Sequence, residues 1–461
     1  MKVHFSSPFR LFAFACILLA VPACAGRVAG PKGRPSPIIA APEQSGPIVA
    51  LALHQPAAGE NNENQHTDQF DWPQWQGPDR TNISHETGLL RQWPKQGPPL
   101  VWKVQGLGGG YSTPSVAAGR IFGMGFKNND EVVWALDESN GKEVWTTRIA
   151  NANPQIGFGE GPRCTPTVDG ELLYALGVSG DLACIETATG KVRWHKNLAS
   201  DFSGQMMSGW GYSESPLIDG EKVLATPGGK KATLVALDKN TGSTIWKASV
   251  PQGDGAAYAS IIAADVDGQR QYIQFLGHGV VGVAAADGKF LWRYDSPANG
   301  TANCTTAIYH DSSVFGASNY GTGGGLARLT HQGDSTKAEE VYSTKHMQNH
   351  HGGIVLVDGY LYGSDGGRLT CLDFATGKVQ WDDHHPGKGS IAYAHGQLYY
   401  RNEGGKMYLV EANPKKYVEH GQFEQPDRSD ANAWPHPVIA NGKLYLRDQG
   451  VLLCYDVKGE K

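Results

Sequence analysis

An all-β fold, an eight-bladed β-propeller closed by an early strand, is what this sequence predicts, and three observations carry the prediction. One phrase recurs five times, as Leu136-Asp137 to Trp145, Ile185-Glu186 to Trp194, Leu237-Asp238 to Trp246, Ala284-Ala285 to Trp292 and Leu372-Asp373 to Trp381. The first four of these tryptophans stand roughly 50 residues apart, a period of propeller blades more than of helical solenoids. The stretches between them are short, rich in β-branched or aromatic residues and bounded by Gly, Asp or Asn, as in residues 171–176 and 443–446. That pattern reads as strand after strand.

Taken in order, the elements justify the count. In Thr189-Gly190-Lys191, Thr241-Gly242-Ser243 and Thr376-Gly377-Lys378 the glycine supplies the left-handed conformation that closes a short hairpin. The nearby Asp or Asn hydrogen-bonds the turn backbone. The unit from residue 354 to Trp381 contains four strands, one blade. Outer strands are marked by Trp145, Trp194, Trp246, Trp292, Tyr342, Trp381 and Phe423, and the last unit, residues 434–457, ends without such a strand. Residues 100–104, Leu-Val-Trp-Lys-Val, have the missing pattern. Their insertion into the final blade closes the ring and hides two open sheet edges. Seven blades is the alternative, because the fifth and seventh units have lost the turn phrase.

The N-terminal region reads as an address. Lys2 and Arg10 flank an apolar run at 11–21, too short to span a bilayer stably and matching a secretory signal over residues 1–25. Two cleavage readings stand open: Ala23-Cys24-Ala25 fits ordinary signal peptidase, whereas Val21-Pro22-Ala23-Cys24 resembles a lipobox that would lipidate Cys24. Residues 26–70, rich in Pro, Ala, Gly, Asn and Gln, read as a disordered tether, and 71–461 as the propeller. Sixty glycines, about twice the usual share of ~7%, suit so many turns. A net charge of −5 with scattered basic residues gives no footprint for nucleic acid, and leaves a lipid anchor as the one membrane attachment expected of a monomer.

The Ala-Leu-Asp, Thr-Gly-Lys and Trp phrases, with Thr113-Pro114, Thr165-Pro166 and Ser215-Pro216 opening successive blades, resemble the pyrroloquinoline-quinone-like propeller repeat family. Residues 72–80, Trp-Pro-Gln-Trp-Gln-Gly-Pro-Asp-Arg, are similar to the lead-in of its exported bacterial members. The resemblance implies the propeller fold but no single chemistry, since the family includes quinoprotein alcohol dehydrogenases and the propeller lipoprotein of the outer-membrane β-barrel assembly machinery.

Function in a propeller sits where the loops before the innermost strands converge. Those loops carry Glu160, Arg163, Trp210, Tyr212, Glu214, Tyr258, Asn303, His350, His351, Lys388, Trp434 and His436. One expectation is a pocket for a flat anionic ligand, with Arg163 and Lys388 pairing carboxylates and Trp210 or Trp434 stacking on the ring. The plainer expectation is that these residues plug the channel and satisfy one another. The dehydrogenase resemblance adds pyrroloquinoline quinone over Ca²⁺, with Glu214 and Asn303 as oxygen ligands. Against it, the two fall two units apart, no Asp stands as base near Asn303, and vicinal cysteines are absent.

Cys184, Cys371 and Cys454 share one slot in different blades and read as small buried groups, and Cys164 and Cys304 open inner strands. His346, His350, His351, His384 and His385 read chiefly as wet loops, with a Zn²⁺ or Cu²⁺ site the lesser alternative. The runs Gly108–Gly110 and Gly323–Gly325 read as loops, and no Gly-x-Ser-x-Gly elbow or haem-attachment motif occurs. The favoured function is an exported cell-envelope module that binds or scaffolds proteins or peptides, similar to the assembly-machinery lipoprotein. A quinone-dependent alcohol dehydrogenase with Ca²⁺ in the channel is the alternative.

Overall fold

The computed structural model describes residues 70–459. The signal segment, Cys24 with its lipobox reading, and the tether up to residue 69 lie outside the described residues. The strands form eight four-stranded antiparallel sheets, seven of which run in sequence order from an inner to an outer strand. The blades occupy residues 115–151, 167–197, 217–248, 262–294, 308–344, 354–383, 389–424 and 438–456. The eighth takes its outer strand from Leu100–Val104, which pairs antiparallel with Val451–Asp456 and sets Trp102 opposite Cys454. Eight blades, with the predicted closure, replace the seven-blade alternative.

The repeated phrase is a latch between neighbouring blades. Trp145 Nε1 donates to Thr187 O at 2.9 Å, Trp194 Nε1 to Lys239 O at 2.9 Å, and Trp381 Nε1 to Asn413 O at 2.8 Å, each acceptor lying in the next blade. Trp102 Nε1 joins the eighth blade to the first at Glu138 O, 3.2 Å away. The Trp145, Trp194 and Trp102 rings each lie over the turn glycine of the next blade, whereas the turn beneath Trp381 has no glycine. A Cβ on Gly190 would meet the Trp145 ring, and one on Gly242 the Trp194 ring. Gly190 and Gly242 also sit at φ of 75° and 71°, so glycine is required there twice over. Trp292 breaks the pattern. Its Nε1 donates to Gln271 Oε1 within its own blade at 2.7 Å, and Tyr294 reaches Glu340 of the fifth blade instead.

Cys184 and Cys371 face Trp194 and Trp381 across their strand pairs. With Cys454 they are buried and unpaired, so the repeated slot holds a small apolar group beside each latch. One loop reading is corrected: Gly323–Gly325 begin the strand Gly323–Gln332. Their missing side chains leave room for Phe315 against Gly324 and Tyr294 against Gly325.

Residues 72–80, read from the sequence only as a lead-in, occupy the central channel. Trp72 pairs with Val116 of the first inner strand, and Pro73 O accepts from Val168 N of the second blade. Trp75 Nε1 donates to Thr306 Oγ1 near the fifth at 2.9 Å. Arg80, buried, donates to Ser215 O at 2.6 Å and Pro216 O at 3.1 Å at the entry of the third. Asn82 and Ser84 then pair with Tyr393 of the seventh. An inward-facing Arg is tolerated because carbonyl dipoles replace its hydration. The Thr/Ser-Pro motifs surround this plug. Thr165 N donates to Ser215 Oγ and Ser215 N to Ser260 Oγ, each at 2.9 Å, so adjacent inner-strand entries are tied hydroxyl to amide.

Candidate functional site

Above the plug, the loops that precede the inner strands converge on a cavity of about 220 Å³. Its wall carries Trp75 from the plug, Tyr111, Phe158, Arg163, Trp210, Tyr258, Cys304, His350, His351 and Trp434, with Tyr320 from a loop of the fifth blade. The rings contact one another: Tyr111 and Trp434 lie 4.6 Å apart between centroids, Phe158 and Trp434 4.8 Å, and Trp210 and Tyr258 5.5 Å. Trp75 rests 4.5 Å from the buried ring of His436, so the floor is itself packed. Among the described residues, Phe158 and Tyr320 are the large aromatic side chains left exposed, at 47% and 48%, and both line this cavity. Aromatic surface of this kind is what proteins usually bury or reserve for a partner.

The polar groups of the wall are few. Arg163 Nη2 donates to Gly157 O at 2.8 Å and Phe158 O at 2.7 Å, which shapes its own loop, while Nη1 has no partner in the protein. Burial pushes the Arg163 pKa down, yet a guanidinium stays charged at neutral pH. His351 Nε2 lies 3.0 Å from Glu403 Oε1 and His350 Nε2 2.9 Å from the Tyr320 hydroxyl. The Nδ1 atoms of both rings are buried and unpartnered. Burial holds His350 down to about 3 and lowers His351 as well, so both imidazoles are neutral at pH 7. Burial likewise pushes the Cys304 thiol up to about 12, which leaves no thiolate for nucleophilic chemistry.

Glu403, which the sequence reading did not single out, organises one side of the wall. Its Oε1 accepts from Trp434 Nε1 at 2.7 Å and lies 3.0 Å from both Lys388 Nζ and His351 Nε2. Burial raises its pKa, but the hydrogen bonds from His351 and Trp434 and the Lys388 charge outweigh burial and hold it at about 2. His350, His351 and Glu403 also form the one cluster among the described residues whose ligand atoms converge as a metal would require. Its carboxylate is already committed to the Lys388 ammonium, which would repel a cation placed there. The wet-loop reading therefore changes for two histidines, which become cavity wall. His346 and His385 remain at the surface beside Asp365 and Glu419.

Of the residues predicted to form the site, Arg163, Trp210 and Trp434 are brought together on the wall, and Tyr258, His350 and His351 join them. Lys388 stands behind, spent on Glu403 rather than free for a ligand carboxylate. Glu214 and Asn303 are buried away from the cavity lining. Glu214 accepts from the Thr226 amide and, at 3.0 Å, from Gln274 Nε2. Asn303 donates to Leu276 O at 2.9 Å and accepts from Asn299 N at 2.9 Å. The oxygens of Glu214 and Asn303 that Ca²⁺ would need already accept protein hydrogen bonds, and neither residue reaches the cavity lining. The donor set does not fit a calcium-held quinone. Tyr111, Phe158, Trp75 and Tyr320 were missed because they lie outside the loops' repeating positions. Two tryptophans ahead of any strand, Trp72 and Trp75, were the available signal that residues 72–80 pack against the blades.

Comparison with known proteins agrees with the fold. A family model described as outer membrane protein assembly factor BamB matches residues 129–383. The crystal structure of BamB from Moraxella catarrhalis is 17% identical, covers 78% of this chain and 98% of its own, and superposes with a TM-score of 0.54. Quinohemoprotein alcohol dehydrogenase from Comamonas testosteroni is 14% identical, with 85% of this chain and 81% of that one covered and a TM-score of 0.61. A stretch of 160 residues, 35% of this chain, is 29% identical to serine/threonine-protein kinase AfsK of Streptomyces griseus, of which it spans only 19%. These structural likenesses establish the architecture alone. More than half of the chain, from the first blade to the sixth, lies within the matched family, and the protein belongs to the BamB-like family of PQQ-like β-propeller repeats.

Proposed function

We propose that this protein is exported to the cell envelope and works there as a binding or scaffolding module for envelope proteins or peptides, with its ligand seat in the aromatic cavity above the channel plug. The exposure of Phe158 and Tyr320 at the rim of a cavity whose wall retains unpartnered polar atoms carries the reading. Unpaired buried donors and acceptors are costly, and a ligand that pairs them recovers that cost. Family membership supports the same class, because its matched description is an outer membrane assembly factor. The signal-like residues 1–25 and the polar stretch that follows support export on a tether.

The test is carried out in cells with the full chain. A photocrosslinking residue replaces Phe158 or Tyr320 in one set of variants and Val144, exposed on an outer strand, in a control. The chain is expected in the envelope fraction, with adducts to an envelope protein from the two rim positions that disappear when Trp434→Ala is added. Retention in the cytoplasm, or adducts indifferent to the Trp434 change, would retire the proposal.

A further inference from the structure

The cavity is specific enough in size and chemistry to name a ligand class. A dry cavity of about 150 Å³ accommodates benzene, and cofactor-sized pockets begin near 300 Å³. At about 220 Å³ this one holds a single ring with a short polar substituent. The tilted rings around Trp434 and Trp210 provide aromatic faces for such a guest. Electrostatics then choose the substituent. Arg163 is the one cation on the wall, and its Nη1–H lacks an acceptor. The neutral His351 donates its Nε2–H to Glu403, which leaves Nδ1 as an acceptor only. Lys388, the other cation of this mouth, is neutralised by Glu403. An aromatic cage of this kind would otherwise favour a quaternary ammonium, but a buried guanidinium in the wall repels one.

We infer that the cavity binds an aromatic carboxylate, one ring bearing an acid group within a few bonds, with the acid on Arg163 and the ring between Trp210 and Trp434. This rests on the cavity being the ligand seat proposed above. The same chemistry is offered by a free aryl acid and by a peptide whose last residue is aromatic, and the two are separated by experiment.

The full chain is titrated with 3-phenylpropionate, with the uncharged 3-phenylpropanol, and with the peptide acetyl-Gly-Gly-Phe ending in a carboxylate or an amide. Calorimetry and the fluorescence of the wall tryptophans report binding. The acid is expected to bind about tenfold or more tightly than the alcohol, the usual yield of a charge-assisted bond over a neutral one. Arg163→Gln should abolish that preference while saturable ring binding persists. A peptide acid that binds more tightly than the free acid assigns the seat to a chain terminus, and the reverse order assigns it to a free aryl acid. Equal binding of acid and alcohol by the unaltered protein overturns the carboxylate inference and leaves the seat standing. Absence of saturable binding by every probe overturns the inference, and only continued rim crosslinking sensitive to Trp434 would then keep the seat.

Discussion

Replacing Trp194 by alanine tests whether the repeated phrase holds the ring together. The side chain is 9% exposed, spans from the second blade to the third and covers the Gly242 turn. A buried Trp removes about 150–250 Å² from water, which at ~25 cal/mol/Å² gives about 4–6 kcal/mol as an upper estimate. Its position near the outer rim lets water refill part of the gap, and the freed Lys239 carbonyl is only partly buried. The expected loss is therefore about 3 to 5 kcal/mol, within the usual range for a large aromatic truncated to Ala. Urea unfolding followed by fluorescence and circular dichroism measures it, with coincident transitions required before one free energy is assigned. Gly242→Ala sharpens the experiment, because its new Cβ would lie 2.8 Å from the Trp194 ring at a φ of 71°. In the Trp194→Ala background only the backbone strain of ~1–2 kcal/mol remains, so the two changes should couple by about 1 kcal/mol or more. A Trp194 loss below 1 kcal/mol, or strict additivity of the pair, refutes the latch.

Deleting residues 100–104 should leave the eighth blade with three strands, open the ring and cause aggregation; a soluble truncation that unfolds cooperatively would place closure elsewhere. Burial holds the folded pKa of His436 at about 4, below the ordinary 6.5, so the unfolded chain takes up the proton first. Its contribution is complete above pH 6.5 and lost as pH falls toward 4, and His436→Asn should flatten the unfolding midpoint across that window. Glu403 is depressed from 4.5 to about 2, so its contribution is present above pH 4.5 and lost as pH falls toward 2. Glu403→Gln should remove that acid dependence and shift the Trp434 emission, and a variant with unchanged acid dependence would discard the hub. Cys24→Ala should release the protein from membranes on fractionation if the lipobox is used, and unchanged membrane association counts against lipidation.

The fold was legible because its signals are local and repeated. A turn glycine, an acidic residue and a Trp recur at fixed offsets, and each offset corresponds to one hydrogen bond and one ring contact between blades. The missing outer strand could be read because Leu100–Val104 keeps the strand pattern outside any complete unit. The site was only partly legible. Arg163, Trp210 and Trp434 stand in the predicted loops, but the fate of each polar group depends on a partner distant in sequence. Glu403 is reached from Lys388, His351 and Trp434 on separate loops, and nothing in its local sequence marks it. Glu214 and Asn303 show the same limit from the other side. They occupy ligand-like positions, yet Gln274 and the Leu276 carbonyl, supplied by the fourth blade's second strand and the turn after it, satisfy them. The plug was missed because its tryptophans and Arg80 bind different blades and so follow no period.

Glu214 and Asn303 lie outside the lining of the channel mouth, an arrangement that gives a calcium-held quinone no ligands there. Thermal unfolding of the full chain with and without pyrroloquinoline quinone plus Ca²⁺, followed by a dye-linked alcohol oxidation assay on the same sample, tests it most directly. A ligand at a hundredfold excess over Kd adds about 2.7 kcal/mol, enough to raise the midpoint measurably. No shift and no turnover are predicted, because Glu214 and Asn303 are committed to protein groups and lie outside the cavity lining. A raised midpoint with alcohol oxidation would contradict the account and make this a quinoprotein dehydrogenase.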